Sequence, residues 1–176
     1  MNRIECIFSV LLMAASLSAQ EATPDPQMKD CPMHAQHSAH QATVETHGDQ
    51  AMGFPHDKTT HHFRLMSDGG VIEISVNDPK DKANIEAIQS HLSHNAVMFG
   101  QGDFSAPMFI HDGVPPGTTT MGLMKAKIQY AYGQTPVGGS VRIKSVDPIA
   151  VAAVHDFLRF QITEHQTGDS LEVAEK

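Results

Sequence analysis

The sequence contains no tryptophan, two cysteines and few charged residues for a chain of 176 residues. Its formal net charge of −8 leaves no basic stripe that could neutralise phosphates, which argues against nucleic-acid binding. It also lacks the signatures of serine hydrolases, phosphate-loop enzymes, dinucleotide-binding enzymes and His-Glu-x-x-His metalloproteases. Histidine, with 12 residues, and methionine, with 10, are the enriched types. Enzymatic activity stays open, but no motif points to it.

The first residues are typical of a secretory signal peptide. The basic residue Arg3 precedes an apolar run from Ile7 to Leu17 that is too short to span a bilayer comfortably. Small residues follow and end at Ala19, where we expect cleavage. We therefore predict that residues 1–19 are removed and that the mature protein is periplasmic or secreted, with no stable membrane span; an uncleaved anchor is the alternative.

Residues 20–57 are predicted to form a flexible arm that contains histidine, methionine and cysteine. The segment shows no sustained apolar periodicity, so it buries too little apolar surface to offset the entropy of ordering. Asp30 is a candidate N-cap for a short helix that ends near Gln41. After loss of the signal peptide Cys31 is the single thiol, so it is a pairing site, a reactive thiol or a metal ligand.

Residues 58–168 are predicted to form an α+β domain, with residues 169–176 as a C-terminal tail. Two strands, a turn-forming Asp-Pro and an amphipathic helix follow one another, and the same order then occurs a second time. The spacing from Gly70 to Asp78 equals that from Gly139 to Asp147, which indicates a duplicated ββα unit. Two units predict one four-stranded antiparallel sheet with two helices on one face, preceded by the disordered His-rich arm.

A long connector, from Gly100 to about Gly122, joins the two units. Connectors of this length are uncommon in compact domains and are often functional. Its apolar residues Met108, Phe109 and Ile110 predict that it packs against the domain. A packed connector and a functional lid remain alternatives.

A metal-ligating pattern lies in the arm, where Cys31, His34, His37 and His40 recur at every third residue. On a helical backbone this spacing keeps successive ligands on roughly one side. Thiolate and imidazole together suit copper or zinc. The first four residues, Cys-Pro-Met-His, resemble a stretch of bacterial heavy-metal-binding domains, some of which are attached to copper pumps. A solvated linker with incidental metal affinity is the alternative.

Three histidines of the domain are further candidate ligands. His61 is predicted on the helix-covered face of the first strand, His91 beside the apolar stripe of the first helix, and His165 at the end of the second helix. If the two units pair through their first strands, His61 and His165 could meet inside the domain. With a third ligand, such a pair could hold zinc, copper or haem iron. Buried histidines satisfied by main-chain carbonyls are the alternative.

Several motifs together resemble a family of secreted bacterial proteins without a known activity. The resemblance spans about residues 52–169 and rests on Met52-Gly53-Phe54, Lys58-Thr59-Thr60-His61-His62-Phe63, Gly102-Asp103-Phe104 with Pro107-Met108, Val114-Pro115-Pro116-Gly117, Phe157-Leu158-Arg159-Phe160-Gln161-Ile162 and Thr167-Gly168-Asp169. It implies one coherent exported domain and no particular reaction.

The sequence therefore favours an exported protein that binds or buffers copper or zinc. One alternative is an interaction or homodimerising module that uses the open face of the sheet, with His62, Arg64, Glu73, Arg142 and Lys144. The other is a small haem- or metal-dependent enzyme that uses the domain histidines.

Overall fold

The structure is a computed structural model that describes residues 32–174, with side chains described from residue 36. Five α-helices and four strands occur in this range. They are α1 (Pro32–Met52), β1 (Thr59–Met66), β2 (Gly69–Val76), α2 (Lys82–Gly100), α3 (Ser105–Ile110), α4 (Thr118–Leu123), β3 (Gln129–Thr135), β4 (Gly138–Lys144) and α5 (Pro148–Glu164). None of the helices between residues 32 and 174 is long and apolar enough to cross a membrane.

The four strands form one antiparallel sheet in the order β1-β2-β4-β3. Alternate residues of each strand point to the side that carries α2 and α5, where they form the core; Ile143 and Val141 are fully buried there. The helices contribute their apolar stripes, including Leu92 and Leu158. The predicted α+β domain with a four-stranded antiparallel sheet is confirmed.

The duplication is visible in the register of the two central strands. Gly69 and Gly138 begin β2 and β4, and Ile72 pairs with Val141, its own equivalent 69 positions later. A pseudo-twofold axis therefore passes through this pair. In the helices the offset is 66, because α2 begins 13 residues after the first residue of β2, whereas α5 begins 10 residues after the first residue of β4. The two helices span 19 and 17 residues, and each has an aspartate as N-cap.

The two units pair through their second strands, β2 and β4, so the pairing of first strands considered above as a condition for the meeting of His61 and His165 does not occur. Each helix nevertheless covers the strands of the other unit: α2 packs on β3 and β4, and α5 packs on β1 and β2. This crossing brings the end of α5 to β1. His61 and His165 therefore meet by a route other than the predicted one.

The two equivalent glycines are required by the close approach of β2 and β4. Gly69 has a φ of +136°, and a Cβ there would lie 2.3 Å from the carbonyl oxygen of Ile143. Gly138 has a φ of +156°, and its Cβ would lie 2.0 Å from the carbonyl oxygen of Ile74. Both turns thus need a residue without a side chain.

The structure differs from the predicted arm in residues 32–57. The helix α1 continues to Met52 instead of ending near Gln41, and it packs on α3 with Val44 1% exposed. Phe54, which is 2% exposed, belongs to the core of the domain. The domain therefore begins before residue 58. Because α1 buries few residues, its sequence shows no apolar stripe that would have indicated docking.

The predicted C-terminal tail is attached to the domain over its described residues. Asp169 accepts a hydrogen bond from the main-chain N–H of Phe63, and the N–H of Ala174 donates to the carbonyl of Leu65. The chain after α5 thus runs along the outer edge of β1. The domain extends to Ala174, beyond the predicted limit at residue 168.

The connector between the units folds into α3 and α4. Its residues Phe104, Ile110 and Met121 are buried, and of the three residues from which packing was expected Ile110 is the buried one. Met108 and Phe109 remain partly exposed, at 40% and 45%. The expectation that this segment packs against the domain is confirmed.

Candidate functional site

A small cavity of about 60 Å³ lies between α2 and α5 on the covered side of the sheet. It is mostly apolar, and its polar groups are imidazoles and carboxamides. The lining residues include Met52, His61, Phe63, His91, Asn95, Phe99, Phe157, Gln161 and His165. The two helices contribute equivalent positions, because His91 corresponds to Phe157 and Phe99 corresponds to His165 by the offset of 66. One aromatic residue and one histidine thus line the cavity from each helix.

His61 lies at the end of this cavity nearest to α1. It is in β1, on the covered face of the sheet, because the strand alternates and its neighbour Phe63 is buried. Its Nε2 is 3.3 Å from Sδ of Met52, the last residue of α1. The ring of Phe54 lies 6.4 Å away, centroid to centroid. A thioether can only accept, so this is the separation of an Nε2–H···Sδ hydrogen bond; in the other tautomer of the neutral ring, Nε2 and Sδ both present lone pairs in a largely apolar setting.

His165 faces His61 across the opening of the cavity. It is the C-cap of α5, and its ring is parallel to that of His61, with an interplanar angle of 6° and a centroid separation of 6.0 Å. Phe63 lies 5.9 Å from it, and His111 makes an edge contact at 5.1 Å. The helix end thus places a second imidazole beside the pair formed by His61 and Met52.

His91 lies on α2, on the other side of the cavity. Its Nε2 is 2.9 Å from Nδ2 of Asn95, one turn later, so that the amide donates to the imidazole. Phe54 meets the ring edge-on at 5.7 Å. These contacts fix the orientation of His91 and satisfy one of its nitrogens.

The three cavity histidines are neutral at physiological pH. Burial, and to a lesser extent neighbouring histidines, lowers the pKa of His61 to about 4 and that of His91 to about 4. The same causes lower the pKa of His165 to about 3. Burial disfavours the charged imidazolium. Each ring therefore keeps a nitrogen lone pair that can accept a hydrogen bond or bind a metal.

A second, more polar cavity of about 220 Å³ adjoins the first on the side of α1. It shares Met52, His61 and His165 with the first cavity and is otherwise lined by polar groups such as Glu45 and His56. His56 is held by Asp49 at 2.9 Å. Met52, His61 and His165 therefore lie between the apolar cavity and the polar cavity and line both.

Sequence reasoning missed a polar chain behind His165. His111 has a side chain 2% exposed; its Nε2 lies 3.3 Å from Oε1 of Gln161, and its Nδ1 has no hydrogen-bond partner. Oε2 of Glu164 lies 3.7 Å from that Nδ1 and 2.6 Å from Nε2 of His40. No motif indicated this cluster, since its members come from three separate elements.

The predicted arm ligands are only partly described. Cys31 lies outside the described residues, and His34 lies in α1. His37 and His40 are exposed on that helix, and His40 bonds to Glu164. Between residues 32 and 174 no three histidine, cysteine, aspartate or glutamate side chains are gathered so that they could hold a metal ion. Of the arm histidines with described side chains, His56 lines the second cavity together with His61 and His165, whereas His37 and His40 line neither cavity.

Met52 is the residue at this site that the sequence reasoning did not propose as a ligand. It belongs to Met52-Gly53-Phe54, a motif noted above for its resemblance to a secreted family. That motif was the available signal, but the arm was expected to be flexible, so nothing connected it to His61.

The charged residues predicted on the open face of the sheet all have partners of opposite charge. Arg64 bonds to Glu73, and Arg142 bonds to Asp68, which also lies 3.6 Å from Lys144. The three cations Arg64, Arg142 and Lys144 thus share two carboxylates, those of Glu73 and Asp68.

No family model, curated protein or solved structure matches this chain. The two resemblances noted above therefore remain predictions. The function is accordingly inferred from the geometry of the cavity and its histidines.

Proposed function

We propose that the protein is an exported transition-metal-binding protein that holds Cu(I) with Met52, His61 and His165. The observation that carries this proposal is the 3.3 Å separation between Nε2 of His61 and Sδ of Met52, beside the parallel ring of His165. An imidazole and a thioether that share an ion must approach each other to about this distance. The proposal rests on this geometry and on donor chemistry.

The distance can be compared with metal–ligand bond lengths. Bonds of about 2.0 Å to nitrogen and about 2.3 Å to sulfur separate the two ligand atoms by about 3.5 Å at a tetrahedral angle and about 3.7 Å at a trigonal angle. The observed 3.3 Å is close to the tetrahedral value. Rotation of the ring of His165 toward the other two would then supply the third ligand.

The chemistry of the three side chains favours Cu(I) over other ions. Thioether and imidazole are soft and borderline ligands that suit Cu(I), whereas calcium and magnesium need oxygen ligands. No carboxylate lines the apolar cavity next to the site among the described residues. The neutral state of the histidines at pH 7 leaves their nitrogens free to bind without losing a proton. Zinc is the second choice, because it accepts imidazole but prefers thiolate to thioether.

The size of the cavity favours a single ion over haem. Its volume of about 60 Å³ exceeds the roughly 10–15 Å³ that holds one water molecule but is small for a porphyrin. A porphyrin would have to push apart α2 and α5, which line this cavity. We therefore place haem behind copper and zinc as a candidate cofactor.

The arm provides a second set of ligands for the same function. We expect Cys31, His34, His37 and His40 to capture metal and the domain to receive it. The helix α1 carries three of these residues and ends with Met52. A single segment thus connects the predicted capture site to the domain site.

The test is a competition titration of the full, metal-free chain with Cu(I) under anaerobic conditions against a chromophoric chelator. Met52→Leu and His165→Phe should each weaken the domain site at least tenfold, about 1.4 kcal/mol. Met98→Leu and His94→Gln are the matched controls, and they should bind as the unchanged chain does.

Metal binding by the domain is distinguished from metal binding by the arm with a variant that lacks the four arm ligands. Its substitutions are Cys31→Ser, His34→Gln, His37→Gln and His40→Gln. This variant should retain one equivalent of Cu(I), with a sulfur neighbour at about 2.3 Å in X-ray absorption. Loss of all binding in this variant, or unchanged binding in Met52→Leu and His165→Phe, would refute the domain site.

A further inference from the structure

The two outer strands of the sheet are equivalent by the duplication, but their free edges differ. The outer edge of β1 is covered by the C-terminal segment. Asp169 accepts from the N–H of Phe63, Ala174 donates to the carbonyl of Leu65, and Met66 bridges to Ala174. This cover satisfies main-chain groups that would otherwise be open to another strand.

The outer edge of β3 has no such cover in the part of the chain that the structure describes. No backbone hydrogen bond from residues 32–174 outside the sheet reaches Gln129–Thr135. One side chain, that of Gln89, donates to the carbonyl of Thr135, and it also accepts from Gln134. In an antiparallel pair alternate residues direct N–H and C=O away from the partner strand. Such groups along β3 therefore face outward.

The sequence of β3 lacks the features that usually protect an edge strand. Gln129–Thr135 has seven residues without a charge or a proline. Exposed edges are commonly protected by charged side chains, prolines or bulges, and an unprotected edge is a template for pairing.

The equivalent positions of β1 show what has changed between the two repeats. His62 corresponds to Ala131, and Arg64 corresponds to Gly133, by the offset of 69. The protected strand thus has charged or polar side chains on the open face, while the unprotected strand has two of the smallest residues. Small residues in a strand allow another backbone to approach closely.

We propose that β3 pairs antiparallel with β3 of a second copy of this chain, which forms a continuous eight-stranded sheet in a twofold dimer. This assembly is independent of the metal-binding function proposed above. A twofold interface uses the same patch on both subunits, and antiparallel self-pairing of one strand satisfies that condition.

A second copy is favoured over another partner because β3 is compatible with itself. Since the strand is uncharged, no antiparallel register places like charges opposite each other. The molecule already uses this association once, since its two units pair antiparallel about Ile72 and Val141. Dimerisation would repeat that arrangement at the outer edge.

The test is sedimentation velocity of the full chain from low micromolar to several hundred micromolar concentrations, with and without a metal chelator. A reversible monomer–dimer equilibrium is expected that does not depend on the chelator. Ala131→Lys should weaken the dimer at least tenfold, because two lysines would then flank the pairing strands. The matched control is Ser140→Lys, which places the same charge on the same face of an inner strand and should dimerise normally.

Amide hydrogen exchange locates the interface. The amides of residues 129–135 should become more protected as the concentration rises, and this effect should be absent in Ala131→Lys. A chain that stays monomeric throughout, or an Ala131→Lys variant that dimerises normally, would overturn the proposal. Protection of β3 that is independent of concentration would also overturn it, since the edge would then be covered within one chain.

Discussion

The three neutral histidines in the cavity should make the metal-free protein lose stability as the pH falls below 7. Their pKa values are lowered to about 4, 4 and 3, whereas the unfolded chain titrates near 6.5. The unfolded state therefore binds more protons than the folded state between these limits. The stability that the three neutral histidines contribute is fully present above pH 6.5. It is lost progressively as the pH falls below the pKa of histidine in the unfolded chain.

The expected loss can be calculated for a change from pH 7.5 to pH 5. An unfolded histidine with a pKa of about 6.5 takes up most of one proton in this interval, and integration gives about 2 kcal/mol per residue. The result does not depend on how far below 5 the folded pKa lies. Three residues give a loss of about 4–6 kcal/mol, where the lower figure allows for residual solvent contact. The total free energy of unfolding of a domain of this size is about 5–15 kcal/mol, so the expected loss is a large part of it.

The assay is urea denaturation followed by circular dichroism at several pH values, with a chelator present. Between pH 7.5 and pH 5 the aspartates with lowered pKa values, such as Asp169, stay ionised. Their stabilising contribution is lost only at lower pH, so it does not enter the measured difference. His91→Phe copies the residue at the equivalent position of α5, and it should reduce the loss by about 2 kcal/mol. His94→Gln, an exposed change on the same helix, should leave the loss intact. If unfolding free energies at pH 7.5 and pH 5 agree within about 1 kcal/mol, the histidines are not neutral and buried in the way described.

Three further predictions concern the fold. Gly138→Ala should destabilise the domain by about 2–4 kcal/mol in chemical denaturation, because its Cβ would clash with the carbonyl of Ile74; a loss below about 0.5 kcal/mol would contradict the geometry. Asp169→Ala should cost about 1–3 kcal/mol and accelerate amide exchange at Phe63, which loses its acceptor, and unchanged exchange there would count against the contact. Val44→Asp should release α1, so that limited proteolysis cleaves within the helix while the sheet stays folded; a resistant helix would show that α1 does not depend on this contact.

The sheet and its two main helices could be predicted because their patterns are local. Strand alternation in residues such as Ile72 and Ile74, and the helix start at Asp147-Pro148, depend on neighbours in the chain. The expected start at Asp78-Pro79 is wrong, because α2 begins three residues later with Asp81 as its N-cap. The equal spacing of Gly70 and Gly139 from their Asp-Pro pairs revealed the duplication for the same reason. The order of strands depends on which units associate, and no local pattern records that choice.

The candidate site could be predicted only in part. His61 and His165 were recognised from their places on the covered face of β1 and at the end of α5. Met52 was not, because it reaches His61 through the docking of a helix that buries few residues. His111 was missed because it and Glu164 come together only after α3 and α5 have packed. Contacts of this kind depend on three-dimensional packing between segments far apart in sequence.

The crossing of α2 and α5 determines how this chain can fold. Neither ββα half can cover its own strands fully, because the helix that packs most extensively on them comes from the opposite half. A fragment that ends before α5 would expose the apolar side of β1 and β2, so the core can close only when almost the whole chain is available. Contacts so distant in sequence make folding slow and cooperative. Two separately produced halves, by contrast, have the complementary surfaces needed to reassemble.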